Sequence, residues 1–115
     1  AALYRRDREM VRRVKDIVAA ALPAPTSLED VARRLNLSSR SVHRRLHEEG
    51  SSLRAIKDAL RRDLALARLA KSDEAIADIA TNLGYADPST FYRAFMSWTG
   101  IAPTTYRERL AQARS

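Results

Sequence analysis

Cysteine is missing altogether from this 115-residue sequence, so neither a disulfide framework nor a thiolate metal site is open to it. The same absence agrees with a reducing compartment, and the cytoplasm is the expected setting. No uncharged apolar run comes near the roughly 20 residues needed to cross a bilayer, and the charged start has no signal-peptide core. A membrane-spanning role is therefore not expected, and an anionic membrane surface ranks behind nucleic acid as a partner on charge alone. Also missing are a glycine-rich phosphate loop, paired acids in a recurring frame and a nucleophile with an identifiable base, which argues against an enzyme and against a bound cofactor. His43 and His47 stand at i, i+4 spacing without a third ligand beside them, so no metal site is expected either. The chain opens Ala1-Ala2-Leu3 without an initiator Met, and a piece of a longer protein is the expectation.

What is present is positive charge. Twenty-one Lys and Arg face fourteen Asp and Glu, for a net charge of +7 and a pI near 10.5. That is the profile of a protein whose partner is a polyanion, with nucleic acid the first candidate. With 45% apolar residues the chain can bury a core without staples, as one compact unit or as two very small ones sharing an element.

Apolar spacing predicts an all-α fold of about seven helices. Met10, Val11, Val14, Ile17, Val18, Ala21 and Leu22 recur every three or four positions in a first helix read from Leu3 to Leu22, with arginines and Lys15 between them. Pro23 and Pro25 end it. Thr26-Ser27-Leu28-Glu29 then reads as a capping box, the Thr26 hydroxyl and Glu29 carboxylate satisfying amides at the start of a short helix, LEDVARRL. Asn36 suits a left-handed stop. Ser38 caps a third helix that runs to about Glu49, where Gly50 ends it. Ser51 or Ser52 opens a fourth, about 20 residues and ~30 Å long, with Leu53, Ile56, Leu60, Leu64 and Ala67 along one stripe.

The fourth helix leads into a repeat. Laying IADIATNLGY over LEDVARRLNL at an offset of 48 pairs Ile76 with Leu28, Asp78 with Asp30, Ile79 with Val31, Ala80 with Ala32, Leu83 with Leu35, Gly84 with Asn36 and Tyr85 with Leu37. Beyond the turn the offset becomes 49: Ser89 meets Arg40, Phe91 meets Val42, Arg93 meets Arg44 and Phe95 meets Leu46. The second turn therefore holds one extra residue, with Asp87 as cap and Pro88 at a first helical position that needs no amide bond. Pro103 begins a last helix. One helix-turn-helix has been used twice, giving a linker-helix extension over residues 1–9, a first unit over 10–50, a connecting helix over 51–71 and a second unit over 72–115.

In a helix-turn-helix the second helix enters the DNA major groove. Advancing about 100° per residue, Arg40, His43, Arg44 and His47 share one side of the third helix and Val42 and Leu46 the other. Arg40 and Arg44 can meet the O6 and N7 acceptors of guanine, and His43 can touch base or phosphate. Ser38, Ser41 and Arg45 flank that side and suit phosphate oxygens. His47 is read as closer to solvent or the DNA backbone than to bases.

Rings are scarce, one Trp, four Tyr and two Phe, yet Tyr85, Phe91, Tyr92, Phe95 and Trp98 fall in one short run. Phe91, Ala94, Phe95 and Trp98 project to one side of the sixth helix as its core face. Ser89 and Arg93 point the other way, with Thr90, Met96 and Ser97 at the margins and Tyr92 on the flank. No large apolar residue is expected on the outward side, and this thinner set of readers predicts weaker or more shape-dependent readout. Joined by a ~30 Å helix, the two reading helices are expected near one turn of B-DNA apart, about 34 Å.

These residues resemble the tandem helix-turn-helix DNA-binding domain of AraC/XylS-type transcription regulators. The matches are Leu28-x-x-Val-Ala, the Ser38-x-x-x-Val-x-Arg44 helix and, above all, Ile79-Ala-x-x-Leu-Gly-Tyr-x-Asp-Pro-Ser-Thr-Phe-Tyr-Arg-Ala-Phe-x-x-Trp-Thr-Gly-Ile-Ala-Pro-x-x-Tyr-Arg107. The resemblance covers about residues 10 to 110. It implies an all-helical fold and double-stranded promoter DNA as ligand, with base contacts from Arg40, His43 and Arg44 and from Ser89, Thr90, Tyr92 and Arg93. It further implies an effector-binding or dimerising domain ahead of this segment, and RNA polymerase as a partner. Two positions depart from the pattern: Asn36 stands where Gly is usual, and Pro88 where some relatives carry a polar reader. A nonspecific or architectural nucleic-acid binder is the competing function, because basicity alone supports it equally.

Overall fold

The computed structural model describes residues 8–114, and their regular structure is entirely helical. Seven helices follow in order: α1 (Glu9–Ala21), α2 (Leu28–Leu35), α3 (Ser39–Glu48), α4 (Leu53–Lys71), α5 (Ile76–Asn82), α6 (Pro88–Thr99) and α7 (Pro103–Arg114). The first helix, read from Leu3, is described only from Glu9, and the earlier part of it, with most of the expected linker extension, lies outside the described residues. The chain divides into two compact units with the boundary between Leu60 and Arg61, inside α4.

In the first unit α1, α2 and α3 pack pairwise. The apolar period of each helix turns inward Met10, Val14 and Val18 from α1, Val31 and Ala32 from α2, and Val42 and Leu46 from α3, and the first half of α4 buries Ile56 and Leu60. Among the described residues this core is aliphatic throughout. A carboxylate ties it together at one end: Glu49, just past α3, accepts from the Met10 amide through Oε2 (3.0 Å) and from the Val11 amide through Oε1 (2.9 Å). Those amides belong to the first turn of α1, which has no earlier carbonyls to bond and carries the positive end of the helix dipole.

The capping box of α2 is displaced by one residue from its expected place. Ser27, not Thr26, is the cap: its Oγ accepts from the Asp30 amide (3.0 Å), and the Asp30 carboxylate accepts from the Ser27 amide (3.0 Å). Thr26 is 4% exposed, its hydroxyl buried without a partner among the described residues and its carbonyl bonded by the Lys57 ammonium. Burial of Thr26 leaves the exposed Ser27 as the first hydroxyl free to turn back onto the helix. The Ser27 hydrogen bonds, with the nearby Arg33 guanidinium, hold the Asp30 carboxyl below its usual range.

The second unit is built on rings. Phe91 and Phe95 of α6 are fully buried with Ile79, Ala80 and Leu83, against Ala65 and Leu69 of α4, while Tyr85, Trp98 and Tyr106 pack around them. The Phe95 ring lies 5.9 Å from Phe91, 6.2 Å from Trp98 and 5.6 Å from Tyr106, all in tilted or edge-on arrangements. Such geometry sets the positive ring edge against a negative face. Here the tie is a cation: the Arg107 guanidinium donates to the carbonyls of Leu69 (3.3 Å), Ser72 (3.2 Å) and Glu74 (2.7 Å), at the end of α4 and just beyond it. Helix ends leave carbonyls unpaired and carry partial negative charge, which a guanidinium fork can satisfy at several points.

Candidate nucleic-acid interface

Both units place the second helix of their helix-turn-helix on a turn of the same construction. In the first, Asn36 adopts the left-handed conformation (φ 56°), the Asn36 amide donates to the Arg33 carbonyl (3.2 Å) and the Leu37 amide to the Ala32 carbonyl (3.0 Å). In the second, Gly84 takes the left-handed turn (φ 93°), its amide donates to Thr81 (3.0 Å), and the Tyr85 amide donates to Ala80 (3.0 Å). Every partner is displaced by the offset of 48 read from the sequence. The caps that follow, Ser38 and Asp87, are displaced by 49. Asn36 thus performs the backbone task usual for glycine, because its short polar side chain tolerates positive φ.

On α3 the expected readers come together. Arg40, His43, Arg44 and His47 are exposed, and with half-buried Ser41 they line one shallow groove. The side chains of Arg40, His43, Arg44 and Arg45 make no hydrogen bond or ion pair among the described residues, so their donors face solvent. Arg45 is exposed but outside that groove. Ser38 is occupied by the helix itself: its Oγ accepts from the Ser41 amide and donates to the Ser41 Oγ, both at 3.0 Å.

On α6, Ser89 and Arg93 are exposed and Thr90 and Tyr92 half-buried. Asp87 organises this end of the helix through one oxygen, Oδ1, which accepts from the Ser89 hydroxyl (2.6 Å), the Thr90 amide (2.8 Å) and the Thr90 hydroxyl (3.0 Å). These bonds, the Ser89 hydroxyl foremost and the Arg93 charge least, hold the Asp87 carboxyl down at about 2. With their protons committed to a carboxylate, the Ser89 and Thr90 hydroxyls keep only lone pairs to offer a further partner, as acceptors.

The outward side of α6 is not free of large apolar groups, contrary to expectation. Met96 is 46% exposed and is the exposed large hydrophobic residue among those described. Helical projection alone leaves it about 60° from Arg93, a margin that neighbouring elements could cover; none does. Glu49 and Arg107 also act in ways no local pattern flagged, through bonds to residues far along the chain.

A family model described as a helix-turn-helix domain matches residues 31–109. Among curated relatives, the ornithine utilization regulator of Pseudomonas aeruginosa is 37% identical over 99 residues, which cover 86% of this chain and 29% of that protein. The chain therefore spans less than a third of that relative's length. A DNA-binding transcriptional dual regulator from Escherichia coli K-12 has a similar structure, with a TM-score of 0.85, 28% identity, and coverage of 90% of this chain and 93% of the other. The DNA-binding domain of AdpA, solved in complex with a target DNA, shares the fold with a TM-score of 0.77 at 24% identity, over 90% of this chain and 95% of its own.

Proposed function

This chain belongs to the AraC-type helix-turn-helix family of transcription regulators, and on that premise we propose that it reads two successive major-groove segments of a promoter, one with each unit. The observation that carries this is the equivalence of α3 and α6: both follow the same turn, and both keep polar or cationic side chains facing solvent on the side opposite their cores. In the first segment Arg40 and Arg44 read guanine edges with His43 beside them, while Ser41 and Arg45 lie against phosphates and Ser38 fixes the helix end. In the second, Arg93 supplies the donors, Ser89 and Thr90 the acceptors, and Tyr92 an edge contact. Half-sites about 10 bp apart follow if both reading helices lie on one side of the duplex.

Since the relatives are longer, an effector-binding or dimerising domain is the expected companion of this segment. Work on promoters in the bacterial cytoplasm and contact with RNA polymerase complete the proposal. Selection of bound sequences from random duplex DNA is the test. A recurring two-part motif that outcompetes its scrambled version at the same salt supports sequence-specific reading. Equal competition by scrambled duplex, with binding governed by salt alone, would instead mark a nonspecific binder.

A further inference from the structure

Met96 has no role in the scheme above, and its position is unusual for a methionine. It is 46% exposed on a helix that buries Phe91 and Phe95 fully and Trp98 in part. Counting about 100° per residue, it lies some 20° from Ser89 and 60° from Arg93, on the side of α6 turned away from the core. The repeat gives a second, independent bearing. At the offset of 49 that pairs Arg93 with Arg44, Met96 pairs with His47, and His47 lines the groove of α3 together with Arg40, His43 and Arg44. The equivalent place in the second unit therefore lies beside its expected readers.

We propose that Met96 is a base-reading residue of the second half-site, packing its flexible thioether chain against the 5-methyl group of a thymine. The major groove displays one apolar group that distinguishes bases, that methyl, and apolar side chains read it by contact. Methionine suits the task, since an unbranched, polarisable chain adapts to a small convex target. Water excluded from methyl and thioether together supplies the favourable term. The first unit, with His47 at this place, lacks such a contact, so methyl dependence is confined to the second half-site. This inference rests on the proposal that α6 reads DNA.

The test exchanges single thymines of the selected site for deoxyuridine, which removes only the methyl, and compares the wild-type chain with Met96→Ala and Met96→Leu. One buried methyl corresponds to about a fourfold loss of affinity. The wild type should lose about that much at one thymine of the second half-site and nothing in the first, M96A should bind both duplexes alike, and M96L should retain the preference. Thermal melting shows whether M96A keeps its fold, as expected for an exposed side chain. Wild-type indifference to every such exchange, an undiminished preference in M96A, or a selected second half-site without thymine would overturn the assignment. Loss of second-half-site preference in Arg93→Ala under those same conditions would show that α6 still reads DNA and that only the Met96 contact is wrong.

Discussion

The two units share a backbone plan and differ in nearly everything attached to it. Their turns carry the same pair of hydrogen bonds at a constant offset, yet one core is aliphatic and the other aromatic. One is tied by a carboxylate, Glu49, on the amides that open α1; the other by a guanidinium, Arg107, on carbonyls at and just beyond the end of α4. Opposite charges do equivalent work because they serve opposite ends of a helix dipole. The exposed faces diverge likewise: α3 presents cations and imidazoles, α6 one arginine, hydroxyls held by Asp87 and an exposed thioether. The repeat thus fixes where an exposed side chain can stand without fixing its chemistry.

The comparison breaks most severely at the cores. Phe95→Ala should cost about 3 to 5 kcal/mol and Leu46→Ala about 2 to 5, read from urea unfolding. If the units are distinct, F95A should remove footprint protection from the second half-site before the first, and L46A the reverse. Simultaneous loss in both variants would show that they fold as one. Next in size is Arg107→Ala, which leaves three carbonyl contacts unmet and should cost about 1.5 to 3 kcal/mol. Arg107→Lys should recover little of it, since an ammonium lacks the planar fork; full recovery would reduce the residue to a simple charge.

The caps give the smallest effects and the sharpest contrast. Ser38→Ala should cost ~1 kcal/mol at any pH, because a hydroxyl cap does not titrate. Asp87 does titrate. Its folded carboxyl is depressed from 3.8 to about 2, so its stabilisation is complete above the unfolded value and is lost as pH falls through the folded one. The melting difference between wild type and Asp87→Ala should therefore be constant above about pH 5 and close progressively as the pH falls through 4 towards 2. A difference unchanged down to pH 2 would mean the carboxylate charge contributes nothing.

Much of this was legible in the sequence because two periodicities coincide. Helical spacing separated Val42 and Leu46 from Arg40 and Arg44, and the repeat tied Arg93 to Arg44. Asp87-Pro88 announced the start of α6 since cap and first position each favour one chemistry. What escaped were choices between neighbours of like chemistry and bonds across long separations. Thr26-x-x-Glu29 and Ser27-x-x-Asp30 are equally good capping boxes on paper, and burial of Thr26 decides between them. Glu49 and Arg107 act on backbone groups 33 to 39 residues away, where no local pattern reports them. Met96 was missed because a marginal angle says nothing about whether another element will cover the side chain.

The central claim is a division of labour between α3 and α6, and selection from random duplex DNA with Arg44→Ala and Arg93→Ala tests it most directly. Arg44→Ala should cost about 1 to 3 kcal/mol and relax one base position in the first half-site, and Arg93→Ala should do the same, by a smaller amount, in the second. Relaxation of the same base pair by both variants, or a uniform loss of affinity with every preference intact, would contradict it.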